Sequence, residues 1–262
     1  MTIRWPAESI WEAVVPLLPG FTVEILPQID STNTELMRRA RAGQTEPTLL
    51  VAERQTAGRG RLGRDWQSDT QDGLATLTFS LGLALQPTDW SGLSLAVGLS
   101  VVQSLHPALQ LKWPNDVWLD MRKVAGILIE TTSVGALRYA VIGIGVNLLP
   151  RDSSGLRTPA AALQELLPQM DAPSALLALV APLVRAVQAF EAAGFAGQRE
   201  AFHARDLLYG REVSCTDGTQ GTARGVDASG ALLVHTATGL QKISSAEVSV
   251  RPVPPTATST DA

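Results

Sequence analysis

The segment from Pro159 to Leu208 is rich in alanine and leucine at helical spacing, and it separates two stretches that read as strands. Amphipathic helices of that extent need an apolar surface to cover, and the strand-forming runs before them supply one. The spacing therefore predicts an α+β fold with several helices on one face of a mixed sheet, broken at Pro168, Pro182 and Gly194.

Before that block, Phe21 to Ile29 reads as a strand that ends at Asp30-Ser31-Thr32-Asn33, residues that favour caps and turns. Thr32 and Glu35 match a capping box, and Gly43 closes the short helix that follows. Thr48 to Ala52 and Leu74 to Leu85 read as strands on either side of a glycine-rich loop, and Leu93 to Leu105 as a helix stopped at His106-Pro107. Leu111 to Leu119, Val124 to Thr131 and Tyr139 to Leu148 read as three further strands. From Gly210 onward, short apolar runs alternate with Asp217-Gly218, Asp227 to Gly230 and Thr238-Gly239, the rhythm of a small antiparallel barrel. This places a domain boundary near Leu208: residues 1–208, then 209–253, then an apolar-poor tail, 254–262, expected to be disordered.

With 262 residues and 45% hydrophobic content, the chain can bury a core in each domain. Its formal charge of −4 gives no global basic field, so nucleic acid is not an expected partner. Cys215 is the single cysteine, which excludes an internal disulfide and fits a reducing compartment, most simply the cytoplasm. Glu8 and Glu12 argue against a secretory signal, and no apolar run suggests a membrane span.

Chemistry concentrates in a few places. Gln55-Thr56-Ala57-Gly58-Arg59-Gly60-Arg61-Leu62-Gly63-Arg64-Asp65-Trp66 combines glycines that let backbone approach a ligand with the fork-shaped donors of Arg59, Arg61 and Arg64, suited to phosphate and carboxylate oxygens. Lys112-Trp113-Pro114-Asn115-Asp116 and Lys123-Val124-Ala125-Gly126-Ile127-Leu128-Ile129-Glu130 hold two of the chain's three lysines, the rest of its positive charge being arginine. Either these positions want a compact ammonium, or Lys112 and Asp116 are a strand-end charge and a turn former. Gly143-Ile144-Gly145-Val146-Asn147 bares one face of a strand, for a flat ligand or for close packing. It lacks the third glycine of a dinucleotide fingerprint, and no Walker A pattern occurs. His106, His203 and His235 have no partners at metal-ligand spacing, and Ser31 sits in no nucleophile elbow.

In order and spacing, Asp30 to Asn33, Gln55 to Trp66, Lys112 to Asp116, Lys123 to Glu130 and Gly143 to Asn147 resemble the biotin protein ligase family. Gly225-Val226-Asp227 and Gly230 to Leu233 look like the SH3-like domain that ends it. The resemblance implies a mixed-sheet catalytic domain of the class II aminoacyl-tRNA synthetase-like, biotin/lipoate ligase fold, followed by an SH3-like β-barrel. It implies that biotin and ATP, with Mg2+, give biotinyl-5′-AMP, from which biotin passes to a lysine of a biotin carboxyl carrier protein or domain of an acyl-CoA carboxylase. It assigns Lys123, Arg61 and Asp116 to catalysis, with Asp116 a candidate for magnesium or for deprotonating the incoming lysine. For biotin it implies Ser31, Thr32, Asn33, Gln55, Gly58, Arg59, Gly60, Arg61, Lys123 and Gly126; for ATP, Arg59, Arg61, Trp66, Lys112, Asn115, Asp116, Lys123 and Asn147. A homodimer is a further expectation.

Leu62 stands where many relatives carry another arginine, and Ala246 where they carry glycine. About 20 residues precede the catalytic domain, too few for the DNA-binding domain of some relatives, so a repressor role is not expected. A lipoate or octanoate ligase is the nearest alternative, and a nucleic-acid-binding module or a non-catalytic carrier-binding protein the more distant ones.

Overall fold

The structure is a computed structural model, which describes residues 3–67, 74–151, 158–244 and 250–253. Elements follow in the order α1 (Ala7–Val14), β1 (Thr22–Ile29), α2 (Thr32–Arg41), β2 (Thr48–Gln55), β3 (Thr76–Ala84), α3 (Leu93–Leu105), β4 (Gln110–Lys112), β5 (Asp116–Leu119), β6 (Arg122–Val134), β7 (Leu137–Asn147), α4 (Ala172–Ala193), α5 (Arg199–His203) and five strands, β8 (Glu212–Cys215), β9 (Gln220–Val226), β10 (Leu232–Thr236), β11 (Gly239–Ile243) and β12 (Val250–Pro252). The first seven strands form one sheet in the order β1-β2-β3-β7-β6-β5-β4, with β1 parallel to β2 and the other pairings antiparallel. The last five form an antiparallel sheet in the order β11-β10-β9-β8-β12.

Period-two alternation divides the large sheet between two jobs. Leu49, Val51, Phe79, Leu81, Ile142 and Ile144 face a large core shared with α3 and α4, whose Leu176, Leu179, Val180, Leu183, Val184 and Val187 are buried. On the opposite face, Leu50, Tyr139 and Val141 pack against Leu36, Met37 and Ala40 of α2. Further along that second face β7 carries Gly143, Gly145 and Asn147, where α2 no longer covers it.

Several local expectations change. The run Leu111–Leu119 is a hairpin, not one strand: β4 turns back on β5 through Trp113-Pro114-Asn115, with Lys112 paired to Asp116. Proline offers no N–H to a ladder, so the turn falls there despite the flanking apolar residues. Pro182 does not divide α4, which runs unbroken to Gly194. A proline inside a helix costs about 3 kcal/mol, whereas each fully buried leucine or valine on that helix gains about 1.5–3 kcal/mol, so the seam outweighs the defect. The same helix is long and apolar enough to cross a membrane by length and composition, yet half of it is buried inside the protein. The N-cap of α2 is Ser31, whose hydroxyl accepts from the Thr34 N–H at 3.4 Å. Thr32 is one residue inside the helix, because Gln55 claims its hydroxyl, and Glu35 pairs with Arg38 and Arg39 instead of closing a capping box. The lead-in contains α1, buried through Ile10 and Val14. Ala246 and the tail at 254–262 lie outside the described residues.

The two sheets meet at the β4–β5 hairpin. Trp113 is fully buried and its Nε1–H donates to the Gly230 carbonyl at 3.0 Å. Gly230 has φ +82°, and a Cβ there would fall 2.9 Å from Gly92 Cα, so a glycine is required by both conformation and proximity. Between α5 and β8, Arg205 and Leu207 bond to both sides of Leu111, binding the connecting segment to the edge of β4.

Trp113→Phe keeps an aromatic ring but removes the pyrrole part of the indole, leaving the Gly230 carbonyl buried without its donor. It should lower stability by about 1–3 kcal/mol, read as a shift of the urea midpoint at unchanged slope; an unshifted midpoint would show that the bond contributes nothing to holding the sheets together.

Candidate active site

The bare end of β7 floors a cavity of about 400 Å3, within the range of small-molecule sites. Gly143 is needed beneath Asn33, since a Cβ would lie 2.1 Å from Asn33 Oδ1, and Gly145 is needed beneath Trp66, whose ring would be 2.3 Å from a Cβ. The alternating glycines thus make room for two side chains that build the walls.

One end of the cavity is an uncharged polar cluster. The Thr32 N–H and hydroxyl donate to Gln55 Oε1 at 2.7 and 3.0 Å. Ser80, fully buried on β3, places its hydroxyl 2.7 Å from both Thr32 Oγ1 and Asn33 Oδ1. Asn33 Nδ2–H donates to the Leu128 carbonyl and to Glu130 Oε2, at 3.2 and 3.0 Å. These residues come together because the first turn of α2 lies across β3, β7 and β6 at the point where β7 loses its side chains.

The other end is cationic. The Lys123 ammonium is 2.6 Å from Asp116 Oδ1, and that of Lys112 is 4.0 Å from Asp116 Oδ2. The three converge because the β4–β5 hairpin pairs Lys112 with Asp116 while β6 brings Lys123 opposite Trp118. Burial alone would raise the Asp116 carboxyl, but the Lys123 and Lys112 charges outweigh it and hold the group below its ordinary value. Burial pulls Lys112 below the usual ammonium value; Asp116 opposes this, while Lys123, Arg64 and Arg251 reinforce it. Arg61 donates to Asn115 Oδ1 at 3.2 Å, and burial lowers its guanidinium against the pull of Asp116. Asn115 is itself fixed by donating to the Ile127 carbonyl at 2.7 Å. Lys112 lies 5.2 Å from the Trp118 ring and Lys123 5.9 Å from the Trp66 ring, both within cation–π reach.

The glycine-arginine loop folds as a narrow hairpin over the cleft. Trp66 N–H donates to the Gly58 carbonyl, Gly60 N–H to that of Arg64, and residues 61–63 make a single 3-10 turn with Leu62 at φ 58°. Gly58 is buried at the neck of this hairpin, where a Cβ would be 2.3 Å from the Trp66 carbonyl, and it does not line the cavity. The other residues expected at the site, namely Ser31, Thr32, Asn33, Gln55, Arg59, Gly60, Arg61, Trp66, Lys112, Asn115, Asp116, Lys123, Gly126 and Asn147, all do. Ser31 lies there chiefly as the cap of α2. Trp66 Nε1 and Asn147 Oδ1 are buried in the wall without hydrogen-bond partners among the described residues, a donor and an acceptor ready for a polar ligand.

Arg64, Arg151 and Arg251 also line the cavity, and Ser80 supports its polar end from behind by bonding to Thr32 and Asn33; none of the four was assigned to biotin or ATP. Arg64 was visible in its loop; Ser80 sits in an apolar strand, and Arg251 arrives from β12 of the second sheet, so neither has a local signal. Among the described residues no three His, Cys, Asp or Glu side chains cluster as a metal site. Both Asp116 oxygens already face lysines, so the residues present do not form a magnesium cage.

The profile of the Biotin/lipoate A/B protein ligase family matches residues 25–147, and that of the Biotin protein ligase C terminal domain matches residues 209–251. A biotin--[acetyl-CoA-carboxylase] ligase of Paracoccus denitrificans is 35% identical over 237 residues, covering 86% of this chain and 98% of that protein. A bifunctional ligase/repressor of Escherichia coli is 35% identical over 231 residues, covering 83% of this chain and 70% of that protein. A biotin protein ligase from Aquifex aeolicus, solved in complex with biotin and ATP, superposes with a TM-score of 0.74 at 30% identity, covering 88% of this chain and 99% of that one.

Asp116→Asn leaves the two ammonium groups facing each other and should destabilise the protein by about 3 kcal/mol at neutral pH. Because the folded carboxyl titrates below its unfolded value of about 4, its contribution is fully present above that pH and is lost as pH falls through the lower folded value. Urea titrations from neutral to acid should show the gap between wild type and variant closing; a gap independent of pH would mean that Asp116 carries no such linkage.

Proposed function

The chain belongs to the biotin protein ligase family, and from that premise we propose how its own residues carry out the reaction. It is an ATP-dependent ligase that forms biotinyl-5′-AMP from biotin and ATP and transfers biotin to a lysine of the biotin carrier of a carboxylase. The observation that carries this reading is the division of one cleft into an uncharged polar end, Thr32, Asn33 and Gln55, and a cationic end, Arg61, Lys112 and Lys123. Such a cleft fits a molecule with a neutral hydrogen-bonding ring at one end and a carboxylate at the other.

In the first step a biotin carboxylate oxygen attacks the α-phosphorus of ATP, and pyrophosphate leaves. Both reactants are anionic, so the site must cancel their repulsion, and each charge-assisted hydrogen bond supplies about 1.5–3 kcal/mol. Lys123 holds the carboxylate oxygen that becomes the bridge to phosphorus and later stabilises charge on departing AMP; Arg61 takes the phosphate. Lys112 and Arg59 complete the cation set. Trp66 packs on the adenine, with Asn115 and Asn147 meeting polar groups of the nucleotide. Thr32, Asn33 and Gln55 face the ureido ring, with Ser31 holding the turn that presents them and Gly126 letting the ring lie close to β6.

In the second step the amine of the carrier lysine attacks the anhydride carbonyl and AMP leaves. Asp116 is a poor base for this amine, since its neighbours hold its pKa down. Its role is to align the two ammonium groups, at 2.6 Å from Lys123 and 4.0 Å from Lys112, and to oppose the lowering of Lys112 by burial. Magnesium enters with the triphosphate. A single cysteine, Cys215, whose buried thiol is pushed up to about 11 by burial with Asp217 adding to it, leaves the chain without an internal disulfide, which fits the cytoplasm.

Biotin, lipoate and octanoate compared in pyrophosphate exchange should give turnover with biotin alone; equal exchange with lipoate would overturn the substrate assignment. Lys123→Met should lower the biotin-dependent exchange by about 10²- to 10³-fold in a protein that remains folded, Lys112 still facing Asp116, and near-normal exchange would remove Lys123 from the chemistry. Arg61→Gly should weaken retention of the adenylate about 10- to 100-fold, seen as biotin appearing on lysines of an unrelated bystander protein.

A further inference from the structure

The Glu130 carboxylate bridges two side chains that line the cleft, Asn33 and Arg59. Its Oε2 accepts from Asn33 Nδ2 at 3.0 Å, and its Oε1 accepts from the guanidinium of Arg59 at 3.0 Å. Arg59 also reaches Thr34 Oγ1 at 3.4 Å, so the loop is tied both to β6 and to the first turn of α2. With Arg59 about half exposed, at 49%, the ion pair contributes little to folding stability. Its placement serves another end: Gln55, Thr32 through its backbone N–H and hydroxyl, Ser80, Asn33, Glu130 and Arg59 follow one another at hydrogen-bond distance from the polar floor to the glycine-arginine loop.

We propose that Glu130 is a positioning residue that couples recognition of the substrate ring to closure of the loop, one carboxylate oxygen orienting the Asn33 amide and the other latching Arg59. The assignment rests on the biotinyl-adenylate reading of this cleft. Only a carboxylate serves, because both partners are donors: glutamine offers one acceptor and one N–H2 group, and the N–H2 must face either Asn33 or Arg59. Asn33 has no alternative pose, being held by Ser80, by the Leu128 carbonyl and by the backbone of Gly143 beneath it. A ring that engages Asn33 therefore acts, through Glu130, on the residue that fastens the loop over the bound adenylate.

The test compares wild type, Glu130→Gln, Arg59→Met and the double variant in steady-state biotinylation, bystander labelling and thermal melting. Glu130→Gln is expected to raise the KM for biotin about tenfold, to leave the KM for ATP within twofold, and to release adenylate severalfold faster at an unchanged melting temperature. The double variant should release adenylate no faster than the faster single variant, since both cut the same latch. The proposal is overturned, with the biotin ligase reading intact, if wild type is active and Glu130→Gln keeps biotin KM and release within twofold of it. Multiplying release effects in the double variant overturn it too, as does a loss of kcat, both KM values and melting temperature together, the mark of a merely structural role. A wild type inactive with biotin overturns the functional reading and this inference with it.

Discussion

The face of β7 that packs Tyr139 and Val141 under α2 continues into Gly143, Gly145 and Asn147, and the molecule is arranged around that change from bulky to bare. A strand cannot turn its side chains to the other face without slipping register, so a cavity on this face has to come from removing Cβ atoms. Opposite it, Ile142, Ile144 and Val146 keep the same strand locked into the helical core. The floor is therefore rigid although its exposed side is open, and the residues above it, Asn33 and Trp66, are placed by contact with backbone.

Rigid placement matters because the cationic end is assembled at a cost. Two ammonium groups and a guanidinium are drawn out of water toward each other, and burial lowers both Lys112 and Arg61. Asp116 offsets part of that cost and is held ionised by the same neighbours. The arrangement is unbalanced toward positive charge, the condition in which two anionic reactants stabilise the site that binds them.

Much of this was legible in the sequence, for physical reasons that can be named. Turn glycines at Gly43, Gly218, Gly230 and Gly239 take positive φ, so their signals survived folding. Leu93–Leu105 forms a helix with the predicted bounds because proline limits it and its buried residues go almost all round. Clustered chemistry, from Arg59 to Trp66 and from Lys112 to Lys123, reached one cleft. What failed were places where tertiary packing overrides local rules: Pro182 sits within a buried helix, and Trp113-Pro114 splits an apolar run that reads as one strand. Ser80 and Arg251 were invisible because nothing near them in the chain marks a site; sheet register and the docking of the second sheet bring them there. Gly58 illustrates the reverse, a residue with the right signature whose task is to let the loop close on itself.

The β4–β5 hairpin carries the last connection. Trp113, at its turn, is the side chain that bonds to Gly230 of the second sheet, while Lys112 and Asp116 on either side of that turn form the cationic end of the cleft. Arg251 of β12 lines the same cleft, and its charge adds to the forces lowering Lys112. Docking of the second sheet and part of the electrostatics of the cleft therefore share one segment, Lys112 to Asp116. A shift in how the sheets meet would act on the position of Lys112 and on the charge beside it together. The C-terminal sheet is thus physically part of the site through Arg251, while its Lys242 is turned to Asp227 of the same domain at 3.0 Å.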